Sequence, residues 1–182
     1  MNYSLKPRNW RTVLHGSEFK ILRLNDAPAA DAILDQPQAI VDYLRPKLAA
    51  SLIYRPDTEN FIVVHLNARR RPIGFEIITH GLLDQLLVHP REVFKSAIVA
   101  NAAAIVLAHN HPSGDPTPSD ADIKVTRDLI KAGQLLRIEV LDHVILGTNP
   151  VGRDSVEPTL NHQPSTINRG YASLKELGYF YG

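Results

Sequence analysis

Apolar positions recur along the chain with two different periods, and the switches between them mark out the elements. Residues 1–35 mix Trp10, Val13, Leu14, Phe19, Ile21, Leu22 and Leu24 with scattered charge, and within them residues 19–24 predict a short strand. A helix is predicted from Gln36-Pro37, because proline is tolerated in a first turn and Ile40, Leu44 and Leu48 follow at a helical spacing. Pro46 falls inside that pattern and predicts a kink or a break. Residues 61–66 and 73–78 are apolar, β-branched runs flanking a polar stretch, which predicts a β-hairpin with Arg69, Arg70 and Arg71 at its tip as a solvated turn. Pro90 opens another helix, with Val93, Phe94, Ala97 and Ile98 facing inward. Residues 102–108 suit a buried strand. A further helix starts at Ser119, carries Ile123, Leu129 and Ile130 on its apolar face, and has Gly133 as its stop. Residues 138–146 form another strand, residues 149–169 show neither period and read as a surface loop, and the aromatic residues 171–181 are expected to fold back as a short helix.

Helices alternating with strands around a tight hairpin predict an α/β fold, a mixed sheet sandwiched by helices. The expected division is an N-terminal extension over residues 1–35, a domain over 36–148, and a C-terminal loop with a short helix over 149–182. Composition agrees with this picture, since 182 residues with 44% hydrophobic content suit one domain with a good core and short extensions.

The chain has no cysteine, which excludes disulfides, thiolate zinc sites, cysteine nucleophiles and the cysteine-ligated zinc of cytidine deaminases. Any metal must therefore be held by histidine and carboxylate. A formal net charge of +1 gives no electrostatic case for a nucleic-acid partner, which needs a concentrated basic surface. No apolar run approaches the roughly 20 residues of a membrane span, and Met1-Asn2-Tyr3-Ser4-Leu5-Lys6 lacks the apolar core of a signal peptide, so the expectation is a cytoplasmic protein without a membrane partner. Oligomeric state is not set by these features.

The chemistry concentrates in residues 109–122. His109 and His111 close the strand of residues 102–108 and share one side of it, because strand side chains alternate. Pro112-Ser113-Gly114-Asp115-Pro116-Thr117-Pro118 can continue neither a strand nor a helix, so the chain turns. Ser119 then caps a helix whose first turn holds Asp122, from where a carboxylate can swing back toward the strand end. Taken separately these are a capping box and a His-x-His pair, both commonplace. Together they give two imidazoles and one carboxylate, which leaves a fourth tetrahedral position for water, the arrangement of a catalytic zinc site. Asp115, in a Gly-Asp-Pro turn, is better suited to shaping the loop, and His143, inside an apolar strand, to a buried, hydrogen-bonded structural role.

His109-x-His111-Pro112-Ser113-Gly114-Asp115-x-x-Pro118-Ser119-x-x-Asp122 resembles the JAMM signature of JAB/MPN-type metalloproteases in its RadC-like form. Leu83-Asp84-Gln85, Val88-His89-Pro90-Arg91-Glu92-Val93, Asn101-Ala102-Ala103-Ala104, Leu141-Asp142-His143-Val144-Ile145-Leu146-Gly147 and Ser173-Leu174-Lys175-Glu176-Leu177-Gly178 resemble that family in order and spacing, so the likeness covers residues 36–178. The family's helix-hairpin-helix-like N-terminal region is not recognisable in residues 1–35.

The resemblance implies a deaminase-like α/β/α sandwich and a JAMM-type zinc metalloprotease acting on a peptide or protein substrate. It implies that His109, His111 and Asp122 hold Zn2+. It also places the water-activating glutamate at the start of the first strand after the leading helix, which selects Glu59. Glu76 is the rival, since it sits between apolar neighbours in the second hairpin strand. Ser119 gains a second role from the resemblance, with its hydroxyl stabilising a tetrahedral oxyanion. A second reading follows from the DNA-repair name that RadC-like proteins carry: a repair or recombination accessory module whose metal is structural or vestigial. A metal-dependent nuclease fits less well, because two-metal phosphoryl chemistry needs an acidic cluster.

Overall fold

Every residue of Glu59–Leu66 and Ala104–Asn110 is buried, and strands covered on both faces belong in the middle of a sheet. The computed structural model, which describes residues 10–15, 18–23, 32–81, 88–147 and 170–180, places them there. In chain order the elements are β1 (Trp10–His15), β2 (Glu18–Arg23), α1 (Pro37–Ala49), β3 (Glu59–Leu66), β4 (Pro72–Gly81), α2 (Pro90–Val99), β5 (Ala104–Asn110), α3 (Asp120–Leu136), β6 (Glu139–Leu146) and β7 (Tyr171–Ser173). β1 and β2 pair antiparallel as a separate two-stranded sheet, while the main sheet runs β4-β3-β5-β6-β7. β3 is antiparallel to both β4 and β5, β5 is parallel to β6, and β7 closes the edge antiparallel to β6.

Alternation along the strands divides the core into two layers. Ile40, Val41, Leu44 and Leu48 of α1 pack against Ile62, Val64, Val106 and Leu146 on one face. Val93 and Phe94 of α2 and Leu129 of α3 pack against Phe61, Val63, Ile105 and Leu107 on the other. Each fully buried Leu, Ile or Phe stabilises the layers by roughly 1.5–3 kcal/mol relative to exposure. The fold is thus an α/β mixed sheet with helices on both faces, as the pattern predicted. The arginine triplet forms the β3–β4 turn, organised by Asn67, whose Oδ1 accepts from the backbone N–H of Arg69 and Arg71.

Four local expectations differ from the structure. Of the kink or break expected at Pro46 the break does not occur: that residue sits on the exposed side of a continuous α1, and its carbonyl accepts from the Ala50 N–H. Gly133 does not stop α3. A Cβ there would stand 2.5 Å from the Ile138 carbonyl oxygen, so glycine serves the close return of the chain, and the helix ends at Arg137 with φ of 57°. Ile98 is 58% exposed, and Ser96 takes the inward place instead. Residues 171–173 form a strand rather than a helix, because β6 offers a free edge and buried Asp142 anchors the segment: its carboxylate accepts from the Ser173 hydroxyl (2.7 and 2.9 Å) and the Lys175 N–H (3.2 Å). The loop expected over residues 149–169 and the Leu83-Asp84-Gln85 segment lie outside the described residues. Among the described residues, no helix is long and apolar enough to cross a membrane.

Candidate metal centre

The antiparallel register of β3 and β5 pairs Phe61 with His109, which sets the first residue of β3, Glu59, beside the C-terminal end of β5. His111 lies one residue beyond β5 and is tied to the sheet by its N–H, which donates to the Leu146 carbonyl at 3.0 Å. The following turn reverses at Gly114, whose φ of 83° favours glycine. Asp115 shapes this turn. Its carboxylate accepts from the N–H (2.9 Å) and hydroxyl (2.7 Å) of Thr117, and its backbone carbonyl accepts from His111 Nδ1 at 2.7 Å.

α3 then begins with a complete capping box. Asp122 N–H donates to Ser119 Oγ (3.2 Å), and Asp122 Oδ2 accepts from the Ser119 N–H (2.7 Å) and hydroxyl (2.6 Å). The same cap that starts the helix thus fixes the Asp122 carboxylate. The outcome is that one ligand atom from each of Glu59, His109, His111 and Asp122 lies within 4.8 Å of all the others, a group able to hold a metal ion. Glu76 is not part of it. That residue is exposed on β4 opposite Val63, four residues along from Glu59, or roughly 13 Å at strand rise.

His109 Nε2 stands 3.0 Å from His111 Nε2 and 3.2 Å from Asp122 Oδ1, and His111 Nε2 stands 3.6 Å from Asp122 Oδ2. A tetrahedral zinc with ligands at about 2.0–2.1 Å has ligand–ligand edges of about 3.3–3.4 Å, and the His109–His111 and His109–Asp122 Oδ1 spacings fall within a few tenths of an ångström of that value. Glu59 is set back, with Oε1 3.8 Å from His109 Nε2. The chemistry of the donor set agrees. A carbonyl can only accept, so neutral His111 keeps its proton on Nδ1 toward Asp115 and presents a lone pair at Nε2. Two imidazole nitrogens and a carboxylate converging within 3.6 Å of one another match the preference of zinc for nitrogen and oxygen donors.

The charges respond to this crowding. Burial alone would push Asp122 up, but when a proton rather than a metal ion is shared in the centre, hydrogen bonds from His109 and His111, and from the Ser119 hydroxyl, hold it far below the carboxylate range. A proton taken up at Nε2 would make His111 a donor toward Asp122, and this raises its pKa against the opposing effect of burial. Glu59 is raised, first by burial, with His109 opposing and Asp122 adding. A carboxyl with an elevated pKa beside such a cluster is suited to carry a proton.

The RadC-like JAB domain family model matches residues 34–153. The chain belongs to that family. A UPF0758 protein of Symbiobacterium thermophilum is 46% identical over 178 residues, covering 98% of this chain and 65% of the relative. A UPF0758 protein of Moorella thermoacetica is 58% identical over 91 residues, or 50% of this chain and 40% of the relative. One from Caldanaerobacter subterraneus is 56% identical over 122 residues, or 67% of this chain and 44% of the relative. The chain therefore spans between 40% and 65% of the length of these relatives.

Several supports of this RadC-like JAB site carry no motif. Asn110 Oδ1 accepts from the backbone N–H (3.0 Å) and side-chain amide (2.9 Å) of Asn60, while both amides donate to the Thr58 carbonyl. This buried pair ties the turn before Glu59 to the end of β5, and its partners lie fifty residues apart in sequence. Phe61 stacks on His109 at 6.3 Å and meets His143 edge-on at 5.5 Å. His143 is fully buried, as expected, and burial pushes it well below its ordinary pKa. A cleft of about 430 Å³ adjoins the centre at His111, bounded also by Arg45, Leu48, Tyr54, Asn110 and Pro112.

Proposed function

We propose that this RadC-like JAB domain is a zinc-dependent hydrolase of the JAMM type that cleaves a peptide or isopeptide-like amide. The observation that carries the reading is the convergence of Glu59 from β3 upon His109, His111 and Asp122, three ligands plus a carboxyl set back from them. Zinc, when bound, supplies Lewis acidity that brings the pKa of water toward neutrality. His109 and His111 present nitrogen donors and Asp122 an oxygen donor. Glu59 takes a proton from water as its oxygen adds to the amide carbonyl carbon, and returns it to the amine nitrogen as the C–N bond breaks. Ser119 positions Asp122, and its hydroxyl meets an oxyanion only after turning away from Asp122 Oδ2.

The test pairs zinc content with cleavage of a panel of fusion peptides, with DNA alongside. Glu59→Gln is expected to retain zinc and fold while losing amide hydrolysis by about 10²–10⁴, the range for removing a positioned proton carrier. Glu76→Gln, exposed on β4, is expected to match the parent protein. Equal rates in the parent and Glu59→Gln would refute the water-activation role, and DNA cleavage without peptide cleavage would refute the substrate class.

A further inference from the structure

Behind the four-residue centre, and outside the motif, a chain of hydrogen bonds runs from the backbone of α3 through Thr126 and His143 to His109. We propose that Thr126 and His143 are positioning residues for the metal: they dictate which ring nitrogen of His109 carries its proton, and so aim an unprotonated Nε2 into the centre. The inference rests on the metal-binding reading above.

The direction of every bond follows from its first acceptor. The carbonyl oxygen of Asp122 has no proton to give, so the Thr126 hydroxyl donates to it. That hydroxyl has one proton, and its oxygen must act as acceptor toward His143 Nδ1, which therefore carries a hydrogen. A neutral imidazole protonated at Nδ1 is an acceptor at Nε2. His143 Nε2 lies 2.8 Å from His109 Nδ1, so His109 is the donor and holds its proton there. In the neutral ring Nε2 of His109 is left with a lone pair, and it faces His111 Nε2 and Asp122 Oδ1, so that a bound cation, a metal ion or a shared proton, is what holds the three together. Because the relay begins on the carbonyl of Asp122, one helical residue supplies both a carboxylate to the centre and the reference that orients a ligand on the neighbouring strand. His143 and Thr126 are both completely buried, and the Phe61 edge closes the space beside His143, so no water competes for these bonds.

Thr126→Val keeps the shape and removes the acceptor. The Nδ1 proton of His143 then has no partner, and the favoured alternative moves it to Nε2, which forces His109 Nδ1 to accept and turns its Nε2 into N–H facing the metal position. Thr126→Ser restores the hydroxyl. The test uses the full chain and has two parts. Histidine ring 15N spectra of the metal-free protein should show His109 and His143 protonated at Nδ1 in the parent and in Thr126→Ser, with both tautomers reversed in Thr126→Val. Competition of Zn2+ against a chelator should show Thr126→Val weakened about 10–100-fold, the usual loss when a ligand's orienting partner is removed, and Thr126→Ser within about threefold of the parent. Should Thr126→Val fail to fold, His143→Gln and His143→Leu decide, since glutamine can accept from His109 and donate to Thr126 whereas leucine can do neither. Parent-like zinc affinity in a folded Thr126→Val, or in His143→Leu, would overturn the proposal, as would a parent spectrum with His109 protonated at Nε2 and not at Nδ1. A parent protein that binds no Zn2+ would instead refute the metal reading, with the ring spectra still deciding the relay.

Discussion

Two buried histidines on the same face of the sheet use the same local hydrogen bonding and come to different ends. His65 on β3 lies 2.8 Å from Ser96 of α2, whose hydroxyl donates to the Val93 carbonyl at 2.8 Å. His143 on β6 meets Thr126 of α3, whose hydroxyl donates to the Asp122 carbonyl. In both, a helical hydroxyl turned back on its own helix becomes an acceptor and holds a neutral imidazole in one tautomer. The His65 unit sits in the apolar layer of Val93, Phe94 and Ala97 and bears only on the fold. The other nitrogen of His143 meets His109, and so the same device reaches the candidate metal centre. A buried histidine does not reveal by its own burial whether it serves stability or chemistry; what its second nitrogen touches does.

The largest expected effect that sharpens this contrast is in the pH dependence of stability. Burial pulls the pKa of His65 from 6.5 to about 4, so its contribution is present above pH 6.5 and is lost as pH falls toward 4. Burial lifts Asp142 from 3.8 to about 6, so its contribution is present below pH 3.8 and is lost as pH rises through 6. At 1.36 kcal/mol per unit these are opposing terms of about 3 kcal/mol each, acting over nearly the same window. Asp142→Asn can still accept from the His143 N–H, the Lys175 N–H and Ser173 through its remaining oxygen, and should unmask the loss on acidification from the buried histidines, His65 and His143. With a chelator present to keep all proteins metal-free, its stability advantage over the parent should shrink by about 3 kcal/mol between pH 7 and pH 4 in denaturant titrations. Parallel pH profiles for the two proteins would show that Asp142 does not titrate in this range.

Ser96→Ala breaks the structural unit alone. It leaves the His65 Nε2 hydrogen without its acceptor and should cost about 1–3 kcal/mol of folding stability. Zinc affinity should remain that of the parent, the opposite of the pattern expected for Thr126→Val. Weakened zinc binding in a folded Ser96→Ala would erase the distinction between the two histidines.

The parts legible in the sequence were those written in local patterns. The β3–β4 hairpin, the buried β5 and the capping box of Ser119 and Asp122 each lie within a short window, and their spacing alone brings His109, His111 and Asp122 toward one another. Glu59 came from the family resemblance, and the register of β3 against β5 is what carries it there. The remainder depended on partners distant in the chain. Ile98 and Ser96 both fit an inward helical period, and it was the need of His65 on another element for a hydroxyl that decided for Ser96. Residues 171–173 became a strand because Asp142, some thirty residues earlier, supplies the acceptors for Ser173. Thr126 carries no signal in the helical pattern, because its partner His143 lies on another element.

The most direct test of the account is metal analysis of the purified protein after exposure to zinc, alongside Asp122→Ala and Glu59→Gln. If His109, His111 and Asp122 hold the ion and Glu59 stands back from it, the parent and Glu59→Gln each retain about one zinc per chain and Asp122→Ala loses most of it. Full retention by a folded Asp122→Ala, or a parent protein that takes up no zinc, would contradict the centre described here.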